Sequence, residues 1–286
     1  MKGILITGAN SYIGTSLERY LSQWPEEYHV DTVDMVDGSW REKSFGGYDA
    51  VFHVAGIAHS DTGNAGEEEQ ARYYAINTEL AIETAKKAKA DGVKQFIFMS
   101  SMIVYGDSAP IGVERVITKD TIPAPANFYG DSKLKAEEGI RPLSDDAFKV
   151  AILRPPMIYG PGCKGNYVTL TKLALKLPVF PDIENRRSML YIGNLCEFLR
   201  QIITDEAAGL FFPQNREYVC TSEMVRMIAE AHGKRIRLTK LFNPIIRLLG
   251  KRVPLVNKAF GNLAYDMGMS GYAGEYRVYE SIKESE

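Results

Sequence analysis

What this 286-residue sequence lacks narrows its class before any motif is read. Its three cysteines, Cys163, Cys196 and Cys220, are odd in number, widely spaced and without metal-site spacing, which argues against a disulfide framework. They are expected as reduced thiols in a cytoplasmic protein. Of its few histidines, His29, His59 and His232 show no ligand spacing, so no metal is expected. No apolar stretch reaches the roughly 18 residues needed to span a bilayer. Met1-Lys2 leads straight into an apolar strand-like segment, with no basic stretch and apolar run before it, so no signal peptide is expected. An excess of one charge is missing too. With 34 Lys and Arg against 36 Asp and Glu, the net charge of -2 gives no chain-wide attraction to phosphate polymers or anionic surfaces. No nucleic-acid partner and no membrane are expected. Repeats and low-complexity segments are also absent.

What is present, over the first 155 or so residues, is alternation. Short apolar runs at 3–7, 30–34, 50–54, 95–100 and 150–154 read as buried strands. Helical patterns lie between them, clearest at 12–21 and 74–90, where Tyr74, Ala81, Ala85 and Ala88 share one face. The 34–50 link, broken by Gly38, Gly46 and Gly47, is too short for a full helix. Strand-helix alternation implies crossover connections, hence an α/β fold: a Rossmann-type doubly wound parallel sheet. After Arg154 the glycines and prolines of 155–165 mark a loop-rich exit, followed by a helix at 167–177, a strand at 189–192 and a helix at 194–203. From about Tyr218 the pattern becomes irregular and reads as a smaller C-terminal lobe. Within it, the apolar run 241–255 is expected as a packed helix rather than a membrane-surface one, because Pro244, Pro254 and few basic residues accompany it.

Chemistry concentrates in three places. Gly8-Ala9-Asn10-Ser11-Tyr12-Ile13-Gly14 follows the first strand and opens the first helix, a turn that presents backbone N–H groups to a pyrophosphate. Twenty residues beyond Gly14 stands Asp34, an acid placed to accept ribose hydroxyls and repel a 2′-phosphate, with Asp31 and Asp37 as nearby competitors for that role. Tyr129 and Lys133 lie four apart, one turn of a helix, where an ammonium favours the phenolate of a group whose unperturbed pKa is about 10. Ser100-Ser101 ends the fourth strand, at the sheet edge where ligands of parallel sheets gather.

These motifs occur in order together with Val51-Phe52-His53-Val54-Ala55-Gly56, Asn77, Val104-Tyr105-Gly106, Leu153-Arg154-Pro155-Pro156, Tyr159-Gly160-Pro161-Gly162 and Arg187-Ser188-Met189-Leu190-Tyr191-Ile192. The chain thereby resembles an extended short-chain dehydrogenase/reductase of the NAD-dependent epimerase/dehydratase family, which includes the UDP-glucose 4-epimerases. The resemblance implies NAD as cofactor, bound by Gly8, Asn10, Ser11, Tyr12, Ile13, Gly14, Asp34, His53, Ala55, Gly56, Asn77, Ser100, Tyr129, Lys133 and Pro156. It implies Tyr129 as acid/base, Lys133 as its electrostatic and ribose-binding partner, and Ser101 as the partner of the substrate hydroxyl. It further implies an NAD-binding domain at 1–160 with a return at about 187–215, a mainly substrate-binding lobe at 161–286, and a homodimer formed through helices near 74–90 and 129–139. Arg187 would bind the diphosphate of a nucleotide sugar, a UDP-sugar by the resemblance, in polysaccharide biosynthesis. Two departures stand out. Ser11 replaces the usual middle glycine, and Met157 replaces a substrate-binding Asn, for which Asn166 is the expected substitute.

Met102 and Ile103, which follow Ser101, cannot move a proton, whereas the family's 4,6-dehydratases carry an acid there. What remains is oxidation and reduction at one carbon. Epimerisation at C4 of a UDP-hexose through a transient 4-keto sugar is the first expectation, and NAD(P)H-dependent reduction of a nucleotide 4-keto sugar the alternative. A non-catalytic cofactor sensor ranks last, because Tyr129 and Lys133 are both retained.

Overall fold

A computed structural model describes residues 1–58, 66–271 and 277–286, and His59 lies outside them. The chain divides into two compact units. The first comprises Met1–Gly106, Pro123–Pro155 and Leu195–Pro213. The second comprises Asp107–Ile122, Pro156–Asn194 and Gln214–Glu286.

The first unit is built on a six-stranded sheet whose pairings are all parallel. Its strands are β1 (Lys2–Thr7), β2 (Tyr28–Val33), β3 (Ala50–His53), β4 (Gln95–Met99), β5 (Lys149–Leu153) and β6 (Gly209–Phe211), in spatial order β6-β5-β4-β3-β1-β2. The five strands expected from sequence are there, with boundaries shifted by a residue or two, and β6 joins the sheet edge from the later part of the chain. Apolar runs without alternation, such as Gln95–Met99 with every residue buried, suit a sheet covered on both faces. In register, Ile4 lies beside Ala50 and Val30, and Ile97 beside Ala151. Strand order reverses at β1, whose successors β2 and β3 flank it on opposite sides. The crevice at the carboxyl ends of β1 and β3 is therefore the switch point where ligands of such sheets bind.

Helix α1 (Tyr12–Leu21) buries Gly14, Leu17 and Leu21 at helical spacing. On one face of the sheet, Ala81, Ala85 and Ala88 of α3 (Leu80–Ala90), with Ala136 and Ile140 of α4 (Phe128–Ile140), share a core with Val51, Phe96 and Ile152. The helix expected at 74–90 is not continuous. Helix α2 (Glu67–Tyr74) runs into one wide π turn at Ala75–Glu79 before α3 begins. Such single-turn insertions recur at functional sites.

In the second unit, α5 (Asn166–Lys176) and α7 (Thr221–Ala231) pack together, joined on α7 by α10 (Val278–Ser285). Helix α6 (Ile192–Thr204), which from Leu195 on belongs to the first unit, precedes β6. Short parallel pairs, Met157–Tyr159 with Met189–Tyr191 among them, complete its framework. Tyr159 stacks on Tyr167 at 5.3 Å and accepts a hydrogen bond from Asn215.

The run 241–255 departs from expectation. It forms two helices, α8 (Asn243–Gly250) and α9 (Pro254–Phe260), each opened by a proline, where a missing N–H costs nothing. Several of its apolar side chains are not packed either: Leu241, Ile245, Leu248 and Leu255 are exposed. Among the described residues no helix is long and apolar enough to cross a membrane.

Candidate active site

The turn after β1 is shaped by close contacts. Gly8 has φ +92°, and a Cβ there would stand 2.9 Å from the Ala55 backbone. Asn10 also takes a left-handed φ of 64°. Ser11, at the position of the usual middle glycine, caps α1: its Oγ accepts the Gly14 N–H at 3.1 Å. A Cβ on Gly14 would come within 2.6 Å of that oxygen, so serine at 11 and glycine at 14 depend on each other. Tyr12 and Ile13 form the first turn of α1. The loop thus keeps a side-chain-free approach at the start of a helix, which fits a dinucleotide pyrophosphate.

In β2 and the loop that follows it, the three acids Asp31, Asp34 and Asp37 separate by their partners. Asp31 accepts hydrogen bonds from Tyr48 at 2.6 Å and from His29 at 3.1 Å. Asp37 accepts from the backbone and hydroxyl of Ser39. Asp34 is exposed, and only its Oδ1 is engaged, by the Val36 N–H at 2.9 Å. Its second oxygen has no hydrogen-bond partner among the described residues, which makes Asp34 the acid most free to receive a ribose.

At the end of β3 the expected residues part company. His53 is fully buried: its Nδ1 shares a hydrogen bond with Thr7 at 2.8 Å, and its ring lies against Phe96 and Phe98. Burial, aided by the Lys133 charge, pulls its pKa down to about 3, so the ring is neutral. The imidazole therefore belongs to the core, whereas Gly56 is open to solvent. A Cβ on Gly56 would meet Asn77 Oδ1 at 3.0 Å and Lys133 Nζ at 3.3 Å, so these three residues converge. Asn77, turned inward by the π turn, accepts from the Ile57 N–H at 2.9 Å and donates to Ile57 O and the Ser132 hydroxyl.

Ser101 ends the β4 edge as the N-cap of a 3-10 turn, its Oγ accepting the Ile103 N–H at 3.2 Å. Its hydroxyl also faces the Tyr129 phenol, whose ionised form it favours, so the sequence-predicted pair lies together. Tyr129 lies in the first turn of α4, capped by Asn127, and Tyr73 meets its ring edge-on at 5.9 Å. Burial pushes the phenol up to about 12 against the opposing effect of Ser101. Lys133 is buried; it donates to Met99 O at 2.9 Å and lies 4.9 Å over Phe98. Burial pulls it down to about 8, with Glu137 pulling the other way. The ammonium that sequence reasoning placed beside the phenol is thus held at the end of β4, and desolvation governs both groups.

Ser100 has a different neighbour. Its hydroxyl donates to Glu137, which also receives Arg154 through two guanidinium nitrogens. Arg154 donates to Tyr105 at 2.7 Å as well. Glu137 and Arg154 are both buried, and sequence reasoning missed the carboxylate. The signal was there: Tyr129, Lys133 and Glu137 recur every four residues, one face of one helix.

In the second unit, Pro156 is buried and Asn166 is exposed on the first turn of α5, preceded by Gly165 at φ +89°. Arg187 is set in bridges to Val219 and Leu263 and donates to Ser108 and Gly261 O, both at 3.1 Å. Burial alone pulls it down to about 10, and among the described residues no carboxylate pairs with it. Its neighbour Arg186 is exposed and paired with Glu114 at 3.1 Å. Arg187 is thus a partly buried guanidinium with no carboxylate partner among the described residues.

Comparison with known proteins follows the same lines. A family model described as the NAD dependent epimerase/dehydratase family matches residues 4–220. The UDP-glucose 4-epimerase of Vibrio cholerae is 33% identical over 298 residues, covering 93% of this chain and 88% of that protein. The N-acetyl-alpha-D-glucosaminyl-diphospho-ditrans,octacis-undecaprenol 4-epimerase of Escherichia coli O157:H7 is 25% identical over 278 residues, covering 90% and 81%. Among solved structures, a dTDP-4-dehydrorhamnose reductase from Bacillus anthracis in complex with NADP superposes with a TM-score of 0.76 at 20% identity. That match covers 100% of this chain and 98% of the other, a likeness of fold.

Proposed function

The chain belongs to the NAD dependent epimerase/dehydratase family, whose cofactor is NAD, and from that premise we propose that it inverts C4 of a hexose carried on a diphosphate, most directly a UDP-hexose. The observation that carries the reading is the pair Ser101–Tyr129 brought together at the β4 edge, with the proton-inert Met102 and Ile103 following Ser101. Gly8 to Gly14 would cradle the pyrophosphate of NAD, and Asp34, Gly56, Asn77 and Lys133 its ribose and nicotinamide side. When bound, NAD supplies the hydride acceptor and donor. Tyr129 takes the C4 hydroxyl proton and returns it, and Ser101 holds that oxygen through its hydrogen bond. Lys133 supplies positive charge near the developing alkoxide. Arg187 is the proposed partner of the diphosphate, with Asn166 standing in for the missing Asn at 157. No net oxidation is needed, which separates this reaction from reduction of a 4-keto sugar.

The test supplies UDP-glucose and UDP-N-acetylglucosamine without added NADH, with a polyprenyl-diphosphate N-acetylglucosamine in a parallel arm, since one relative is named for that carrier. Galacto-configured products of unchanged mass are expected. A product lighter by one water would assign dehydration, and turnover only of a 4-keto sugar with consumption of NADH would assign the reductase.

Asp34 gives a separate expectation. Its free oxygen accepts ribose hydroxyls but faces a 2′-phosphate as a like charge, a juxtaposition that costs several kcal/mol. Calorimetry should find NAD bound on the order of a hundredfold more tightly than NADP. Asp34→Ser should narrow the ratio, and equal binding by the unaltered chain would remove Asp34 from the role.

A further inference from the structure

The apolar surface at 241–255 is unexplained by the chemistry above. Leu241 is 77% exposed, Ile245 and Leu248 60% each, and Leu255 70%. On α8, Ile245, Leu248 and Leu249 lie at positions i, i+3 and i+4, one stripe of the helix, while Gly250 is buried on another side against Ile111. Isolated exposed leucines are ordinary, but a stripe continued by Leu241 before the helix and Leu255 after it is not.

Charge identifies the occupant. Lys240, Arg247, Lys251, Arg252 and Lys258 are all exposed, and none forms an ion pair among the described residues. Between Glu230 and Asp266 the chain has no acidic residue. The net charge of -2 conceals this local excess, because the acids lie elsewhere. Exposed apolar side chains on a short helix, flanked by cations without counter-ions, match an element lying in the interface of an anionic bilayer. A packed protein partner would require carboxylates for the five cations as well as an apolar groove; a phospholipid surface offers both together.

We propose that α8 and α9 dock the protein on anionic phospholipid, with Ile245, Leu248 and Leu249 entering the interface and the five cations meeting headgroups. This departs from the expectation, drawn from net charge, that no membrane is involved. It is independent of which sugar the active site takes.

Flotation of the purified chain with vesicles tests it. The protein should rise with vesicles of phosphatidylcholine containing phosphatidylglycerol, not with phosphatidylcholine alone, and added salt should release it. Ile245→Glu with Leu249→Glu should reduce the bound fraction at least on the order of tenfold. Lys251→Glu with Arg252→Glu should weaken binding on the order of tenfold or more. All four side chains are exposed, so both variants should melt as the parent does; the charge variant tests the surface even if the apolar one misfolds. No binding to anionic vesicles, or binding undiminished in either folded variant, overturns the proposal. A dimer abolished by Ile245→Glu, with no vesicle binding, would assign the stripe to a second copy instead.

Discussion

Tyr129→Phe should lower turnover on the order of 10² to 10⁴-fold, the usual loss for a general acid/base, while leaving NAD binding nearly intact. The phenol faces Ser101 and its ring is met edge-on by Tyr73, so removing one oxygen leaves the packing in place. The dinucleotide contacts argued above lie mainly at the Gly8 turn and Asp34, remote in sequence from this side chain. A pH profile distinguishes lost chemistry from disturbed structure. Burial pushes the phenol up to about 12, so near neutrality the phenolate is scarce and grows as pH rises. Lys133, pulled down to about 8, keeps its charge below that value and loses it above. kcat/KM of the unaltered enzyme should therefore climb across the neutral range toward pH 8 and flatten beyond it. The residual rate of the Phe variant should lack that climb. A steep climb retained by the variant would mean that another group moves the proton.

The sheet and the glycine turn were legible because their causes are local. Strands buried on both faces need unbroken apolar runs, and a helix start facing a pyrophosphate needs small residues at fixed places. Tyr129, Lys133 and Ser101 could be read for the same reason. Asn77 was readable as a residue but not as a geometry. A π turn adds one residue without any compositional mark, so a single helix through 74–90 was the natural expectation. Arg186 and Arg187 look alike in sequence. Only the bridges that fix the backbone at 187 decide which guanidinium is exposed and which loses its water. The 241–255 run, expected as one packed helix, is two helices because Pro254 opens the second, and helical spacing alone could not say that Ile245, Leu248 and Leu249 face outward. The pairing of Glu137 with Arg154 was hidden differently. It joins a helix to the residue just past β5, 17 residues away, and one helix's periodicity says nothing about what its inner face meets.

Replacing Arg154 by Met should destabilise the protein by about 3–5 kcal/mol, the cost of leaving a buried carboxylate without its counter-charge. Glu137 is fully buried, and Arg154 reaches it through two nitrogens while also donating to Tyr105. Without the guanidinium, Glu137 keeps the Ser100 hydroxyl and Arg141, whose side chain is largely exposed and whose Nη2 stands 3.5 Å away. Neither matches a desolvated bidentate cation. Glu137→Leu combined with Arg154→Met should recover much of the loss, because an apolar pair of similar volume avoids desolvating two charges. Activity should respond differently from stability. Glu137 lies one turn beyond Lys133 on α4, and its tie to Ser100 fixes that helix face against the end of β4 that carries Ser101. The double variant should therefore melt close to the parent yet turn over more slowly at saturating substrate, with KM little changed, as befits a positioning pair. Thermal unfolding of the two single variants and the double, set beside their kcat and KM, checks both parts. A double variant as unstable as the sum of the singles would show that the two charges act independently. One with full kcat would show that the ion pair holds the fold but not the geometry of Tyr129 and Ser101.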